Sequence, residues 1–243
     1  MLDRPGVTAE ECATLLARLR ERRPHVHCIT NAVAQGLTAN VLLAAGASPS
    51  MTVAPNEQAA FVGFADALLV NVGTLDDDRR SAARLAVETA RLEGKPWALD
   101  PVFAHASEPR LEFARQLLRL GPALVRANEA EHQALAPGAD VLVAITGAQD
   151  VVRLGTRTAA VSNGSPLMAR VTAMGCALTA LAAGFLAVAD DTFAATVTAL
   201  AAFGLAGEVA AERARGPGTF PAELLDALAL MTPDDLRAGA RLA

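Results

Sequence analysis

Residues Arg170–Asp190 read RVTAMGCALTALAAGFLAVAD, a strand–turn–helix pattern that is typical of α/β folds. The first four residues, Arg170–Ala173, form a short β-like run that turns through Met174 and Gly175 into a helix rich in Ala and Leu. A glycine at such a turn lets the backbone approach a ligand closely. The first helical turn has amide groups without intrahelical partners, and with the helix dipole these favour an anion such as phosphate. The turn is therefore the predicted centre of a functional site.

Cys176 lies on the first turn of this predicted helix. The field of a helix N-terminus is expected to lower the pKa of its thiol and to favour the thiolate. The alternative is that the turn merely packs a core helix and that Cys176 is a buried apolar side chain. The stretch alone leaves both interpretations open.

Predicted strands alternate with predicted helices along the chain. A continuous apolar run such as Ala67–Val72 is typical of a strand covered on both faces. The alternation predicts an α/β fold with a mostly parallel central sheet and helices on both faces. No repeat or long linker divides the sequence, so we predict a single domain, residues 1–243. The predicted strands are Val26–Thr30, Ser50–Val53, Ala67–Val72, Pro96–Asp100, Ala123–Ala127 and Asp140–Ile145, followed by a hairpin of Val151–Leu154 and Thr158–Ser162.

The composition excludes several classes of protein. Aromatic residues are only 4% of the 243 residues, the net charge is −5, and Lys and Arg form no cluster, so we expect no nucleic-acid partner. The three cysteines are widely separated and form neither a disulfide framework nor a metal-ligand spacing, which favours a cytoplasmic location. Val171–Ala189 carries no charge and is long enough to span a membrane. It is rich in Ala and Gly, so a buried core helix is expected instead.

Polar residues stand at the carboxyl ends of the predicted strands, where open parallel sheets bind ligands. Arg126 can clamp phosphate oxygens, and Asp100 and Glu131 can hold Mg²⁺, while Thr146 and the Gly175 turn offer neutral donors. Each also has a structural alternative: a strand-end turn at Asp100, a helix N-terminal charge at Glu131, and an ion-pair partner at Arg126. No Walker motif is present, which excludes a P-loop fold. The strand-end residues are Asn31, Asn71, Asp100, Arg126, Asn128 and Thr146.

Several segments, in their order along the chain, resemble hydroxyethylthiazole kinase, a thiamine-salvage family of the ribokinase-like superfamily. The resemblance covers nearly the whole chain. It is carried by VHCITNAVAQGLTANVLLAAGASPSM (Val26–Met51), ALLVNVGTL (Ala67–Leu75), WALDPV (Trp97–Val102), RANEAE (Arg126–Glu131), AITG (Ala144–Gly147), Gly175–Cys176 and GPGTF (Gly216–Phe220).

The resemblance implies a ribokinase-like enzyme that transfers the γ-phosphate of ATP, with Mg²⁺, to the hydroxyl of 4-methyl-5-(2-hydroxyethyl)thiazole. It also implies a homotrimer with the thiazole pocket between subunits. Asn31, Met51 and Ala173 would bind the thiazole substrate, and Arg126, Thr146 and Gly175 would bind ATP. Asp100 and Glu131 would organise the metal, and Cys176 would act at the substrate hydroxyl.

Two departures from the family pattern leave other functions open. Ala173-Met174 stands where the family has a glycine and a small residue, and the segment between Glu131 and Ile145 is too short for the usual loop and full helix. One alternative is therefore a catalytically weak paralogue that binds thiazole or nucleotide. The other is a kinase for another small heterocyclic alcohol such as hydroxymethylpyrimidine, against which Met51 and its flanking segments argue.

Overall fold

In the computed structural model, residues 6–243 are described, and residues 1–5 lie outside the described part of the chain. Eight strands in this part form one sheet with the order β2-β1-β3-β4-β5-β6-β7-β8. The pairs from β2 to β6 are parallel, and β7 and β8 add an antiparallel hairpin. The strands are β1 (His25–Ile29), β2 (Ser48–Ser50), β3 (Ala67–Asn71), β4 (Trp97–Asp100), β5 (Leu124–Asn128), β6 (Val143–Thr146), β7 (Asp150–Leu154) and β8 (Arg157–Val161).

Helices cover both faces of the sheet. The helices are α1 (Ala9–Arg22), α2 (Gln35–Ala45), α3 (Gln58–Phe64), α4 (Asp77–Leu92), α5 (Glu108–Leu118), α6 (Glu129–Leu135), α7 (Met174–Leu186), α8 (Thr192–Arg213), α9 (Phe220–Leu230) and α10 (Pro233–Gly239). One apolar core joins the sheet to α1, α2 and α7–α10, and a second core joins the opposite face to α3–α6. The predicted α/β fold, with a mostly parallel sheet between two helical layers, is confirmed.

The buried strands explain the continuous apolar runs of the sequence. On β3, Leu69 packs into the first core, whereas Leu68 and Val70 pack into the second. Successive side chains of a strand point to opposite faces, so a sheet covered on both sides needs apolar residues at every position. Because the strands from β2 to β6 run parallel, their carboxyl ends lie along one edge of the sheet.

Two strand predictions were wrong in position. Arg170–Ala173 is not a strand: a 3₁₀ turn at Met168–Arg170 is separated from α7 by residues 171–173, and no described strand pairs with these three residues. An extended residue becomes a strand only when a neighbouring strand takes its backbone hydrogen bonds. The strand predicted at Ser50–Val53 is instead β2, Ser48–Ser50, so Met51 follows that strand.

The segment between β5 and β6 is short, as predicted. It contains α6, which has 7 residues and ends at Leu135, and then a loop of residues 136–142. This side of the sheet therefore has less helical cover at β5 and β6 than a full helix would supply.

The uncharged stretch at Val171–Ala189 contains α7, which is 13 residues long. Among the described residues, α8 is the helix long and apolar enough to cross a membrane, and 83% of its most apolar window is buried inside the protein. Burial of this kind is typical of a core helix.

Candidate active site

Asn31 connects the ends of β1 and β3 to the first turn of α7. Its Nδ2 donates to Asn71 Oδ1 at 3.1 Å and to Cys176 Sγ at 3.3 Å. Its Oδ1 accepts hydrogen bonds from the backbone amides that follow β1, those of Val33 and Ala34, both at 3.1 Å. One buried amide side chain therefore holds three elements together at the carboxyl edge of the sheet.

Asp100, the last residue of β4, is fully buried beside this cluster. Its Oδ2 accepts a hydrogen bond from Thr179 Oγ1 at 2.9 Å. Within residues 6–243 its Oδ1 has no hydrogen-bond partner, and it lies 3.9 Å from Nη1 of Arg126. Burial raises the pKa of Asp100 to about 6, although the Arg126 guanidinium and the side chains of Thr179 and Asn71 act in the opposite direction. The site thus holds a buried carboxylate whose Oδ1 faces Arg126.

Arg126 is part of β5, and its side chain lies against the N-terminal turn of α7. A Cβ built at Gly175 would stand 2.6 Å from Arg126 Cζ, so only glycine admits the guanidinium at this place. Nη2 of Arg126 donates to Thr146 Oγ1 at the end of β6. In the described part of the chain, the buried Nε of Arg126 has no hydrogen-bond partner, and no side chain caps the first turn of α7. The helix amides and the guanidinium together form a site suited to an anion.

Ala173 precedes α7 in a left-handed conformation, with φ 68° and ψ 4°. An alanine there costs on the order of 1–2 kcal/mol relative to the right-handed regions, a penalty that glycine avoids. Ala173, which stands where the family pattern has a glycine, therefore does have a positive φ.

The prediction of a lowered pKa for Cys176 was wrong. Burial raises the pKa of this thiol to about 11, and the neighbouring Asp100 raises it further, whereas Asn31 and Arg126 act against the shift. Cys176 is therefore a neutral thiol near pH 7. Desolvation of the sulfur is the largest cause of this shift, because the side chain is only 8% exposed.

Glu131 is buried at the start of α6, where it completes a capping box with Asn128. Its Oε2 accepts a hydrogen bond from the Asn128 amide at 2.9 Å, and its Oε1 accepts one from the Phe103 amide at 2.8 Å. The structural alternative considered for this residue, a helix N-terminal charge, is therefore part of its role.

The fit of the site to Mg²⁺ rests on Asp100. Residues 6–243 contain no group of three or more His, Cys, Asp or Glu side chains able to enclose a metal ion. Mg²⁺ is usually held by one or two carboxylates, with phosphate oxygens and water completing its shell. The free Oδ1 of Asp100 fits that pattern for a magnesium ion that arrives with a nucleotide.

A cavity of about 310 Å³ opens beside these groups. Of the predicted substrate and catalytic residues, Asn31, Ala173 and Cys176 line it. Sequence reasoning missed other lining residues, which include Thr74, Val102, Phe103 and Arg110. Thr74 and Phe103 have positive φ angles of 42° and 53°. They lie in the loops after β3 and β4, and that placement after strand ends was the signal available in the sequence.

Met51 does not line this cavity; it follows β2 and is half-buried against the first core.

His27 is fully buried and lies next to the residues that flank the loop beginning at Met51. The His27 ring contacts Ser50 Oγ at 2.8 Å and Gln58 Oε1 at 3.1 Å, and Gln58 Nε2 donates to the Ala54 carbonyl at 2.9 Å. His27 is thus a structural histidine.

The sheet order and the strand-end site define a protein with a ribokinase-like fold. A ribokinase-like superfamily protein from Enterococcus faecalis superposes with a TM-score of 0.63 at 14% identity, covering 93% of this chain and 90% of that one. At this identity the likeness concerns the fold alone.

The chain belongs to the hydroxyethylthiazole kinase family, whose sequence model matches residues 16–138 and 132–234. The two matched pieces overlap at residues 132–138, in the segment between β5 and β6. Hydroxyethylthiazole kinase from Rhizobium etli is 44% identical over 256 aligned positions, which cover 94% of this chain and 99% of the relative. The structure of a hydroxyethylthiazole kinase protein from Pyrococcus horikoshii OT3 is 39% identical, with a TM-score of 0.92 over 96% of this chain and 98% of that chain.

Proposed function

We propose that this protein phosphorylates the hydroxyl of 4-methyl-5-(2-hydroxyethyl)thiazole with ATP, a reaction of thiamine metabolism. The observation that carries the proposal is the meeting of Arg126, Asp100 and Cys176 at the uncapped N-terminus of α7, beside the cavity. Family membership names the reaction, and this geometry supplies the charges that it needs. Phosphoryl transfer depends mainly on positioning and on electrostatic stabilisation of the moving group.

The anion site binds the nucleotide phosphates. Arg126 presents a guanidinium fixed by Thr146 and by its contact with Gly175, so it needs little rearrangement when a phosphate arrives. The first amides of α7 donate to the same anion, and their dipole adds positive potential. These donors neutralise charge on the phosphoryl oxygens during transfer.

The cavity binds the acceptor alcohol, with Asn31 and Ala173 as substrate contacts. Cys176 positions the acceptor hydroxyl as a neutral thiol, which can donate or accept one weak hydrogen bond. A loose transition state requires little base assistance, so a thiolate is not needed. We place Met51 at the substrate as well, contributed across a subunit boundary in a homotrimer, since it does not line the cavity of its own chain.

Mg²⁺ would be held by Asp100, with Glu131 acting through water, and when bound it would neutralise charge on the nucleotide phosphates. Glu131 reaches this region from α6, where it also holds the Phe103 amide. The single domain of residues 1–243 and a cytoplasmic location complete the proposal.

The test is ADP release by the purified protein in Mg-ATP, with and without hydroxyethylthiazole, and with hydroxymethylpyrimidine as the control alcohol. Thiazole-dependent ADP at about 1 s⁻¹ or faster, with the pyrimidine inert, is the expected result. ADP release that depends on the pyrimidine instead would contradict the substrate assignment.

A second function is favoured by one observation, the left-handed Ala173. A strained turn at the phosphate site is compatible with a protein that binds thiazole or nucleotide and turns it over poorly. Calorimetric binding of hydroxyethylthiazole by a protein that releases no ADP would establish that function in place of the kinase.

A further inference from the structure

Thr179 stands one helical turn after Gly175 on α7 and is fully buried. Residues three and four apart share a helix face, so Thr179 faces the same way as Cys176 and Gly175. Its hydroxyl lies 2.9 Å from Asp100 Oδ2 and also 2.9 Å from the Gly175 carbonyl oxygen. A single side chain thereby joins the end of β4 to the turn that forms the anion site.

One hydroxyl proton serves two acceptors here. A hydrogen bond to an ionised carboxylate is stronger than one to a neutral carbonyl, so the proton goes to Asp100 when that group is charged. With Oδ2 held in this way, the other oxygen of Asp100 is left facing Nη1 of Arg126 at 3.9 Å. This separation is longer than a hydrogen bond, so Arg126 keeps Nη1 available for a ligand while its Nη2 donates to Thr146.

We infer that Thr179 is a positioning residue for phosphoryl transfer: it fixes the orientation of the Asp100 carboxylate and keeps Asp100 from closing onto Arg126. The inference rests on the proposed function for its kinetic consequence. Thr179 does not line the cavity, so its effect reaches the reaction through Asp100. The Asn71 side chain also acts on Asp100, but it is a neutral amide. Without the Thr179 hydroxyl, the buried carboxylate would turn toward the charged Arg126 and occupy donors that the phosphates need.

The test compares Thr179→Val, which keeps the shape and removes the hydroxyl, with Thr179→Ser, which restores it. Thr198→Val is the matched control, because Thr198 is also fully buried and donates from α8 to the Ala194 carbonyl at 2.8 Å. We expect Thr179→Val to lower kcat at least about tenfold, as for loss of a hydrogen bond to a charged group. The KM for the thiazole alcohol should change by less than about threefold, because the cavity lining is intact. Thr179→Ser should recover most of kcat, and Thr198→Val should leave it unchanged.

Crystal structures of the two Thr179 variants give a readout that does not depend on activity. In Thr179→Val the Asp100 carboxylate should rotate until it hydrogen-bonds Arg126, and in Thr179→Ser it should keep its present orientation. An unrotated Asp100 in Thr179→Val overturns the inference, as does a kcat within about twofold of wild type or a Thr179→Ser variant as slow as Thr179→Val. If the wild-type protein releases no thiazole-dependent ADP, the proposed function is wrong. The inference about Thr179 is then tested only by the orientation of Asp100 in the crystal structures of the variants.

Discussion

Ala173→Gly tests whether the left-handed turn before α7 is a site of strain. Alanine at φ 68° costs on the order of 1–2 kcal/mol, which the substitution removes. The greater freedom of glycine in the unfolded chain costs about 0.4–1 kcal/mol in return. The expected net gain is about 0.5–1 kcal/mol in the free energy of unfolding, or a rise in Tm of roughly 1–4 °C for a chain of this size. Removal of the Cβ also widens the cavity that Ala173 lines.

Ala136→Gly is a matched control for this substitution. Ala136 has a φ of 50° at the C-terminal cap of α6, so the same change removes similar strain there. Urea denaturation followed by circular dichroism should show both variants to be more stable than wild type. Thiazole-dependent ADP release should give a higher kcat/KM for Ala173→Gly alone, because glycine lets the backbone approach the transferred phosphate more closely.

The reasoning is refuted if Ala173→Gly lowers the free energy of unfolding while Ala136→Gly raises it. That result would mean that the Ala173 methyl group makes packing contacts worth more than the strain. A stabilised Ala173→Gly variant with unchanged kinetics would show that the strain at this turn does not affect catalysis.

The other predictions concern neighbouring parts of the molecule. Gly175→Ala should displace the Arg126 guanidinium and raise the KM for ATP at least about tenfold, and an unchanged KM would show that the contact with Arg126 is not needed. Cys176→Ala should lower kcat more than it changes ATP binding measured by calorimetry, whereas Arg126→Ala should weaken ATP binding strongly; an unchanged kcat for Cys176→Ala would remove the thiol from the mechanism. Burial lowers the pKa of His27 from 6.5 to about 4, so the unfolded chain binds more protons between these values and stability falls as the pH decreases through this window. Wild type should therefore lose up to about 3 kcal/mol more than His27→Gln between pH 7 and pH 4 in urea denaturation, and equal losses would contradict the neutral buried histidine.

The amino-acid sequence by itself determined the fold class and the neighbourhood of the candidate site. Strands such as Ala67–Asn71 are apolar at nearly every position, which requires cover on both faces and therefore a parallel sheet between helical layers. In such a sheet, residues that follow different strands meet at one edge whatever their separation in the chain. Asn31, Asp100 and Arg126 could be grouped for that reason alone.

Only the tertiary structure decided the chemical state of the groups at that edge. The pKa of Cys176 depends on burial and on Asp100, which comes from a strand 76 positions earlier in the chain. A local pattern contains the helix N-terminus but not the burial of the sulfur by the rest of the chain, so it predicted a thiolate where the fold produces a thiol. The hydrogen bond between Thr179 and Asp100 likewise joins residues that are far apart in the chain. The reason is physical: hydrophobic periodicity is a local property of the chain, whereas desolvation and hydrogen-bond partners are set by residues that come together only when the chain packs.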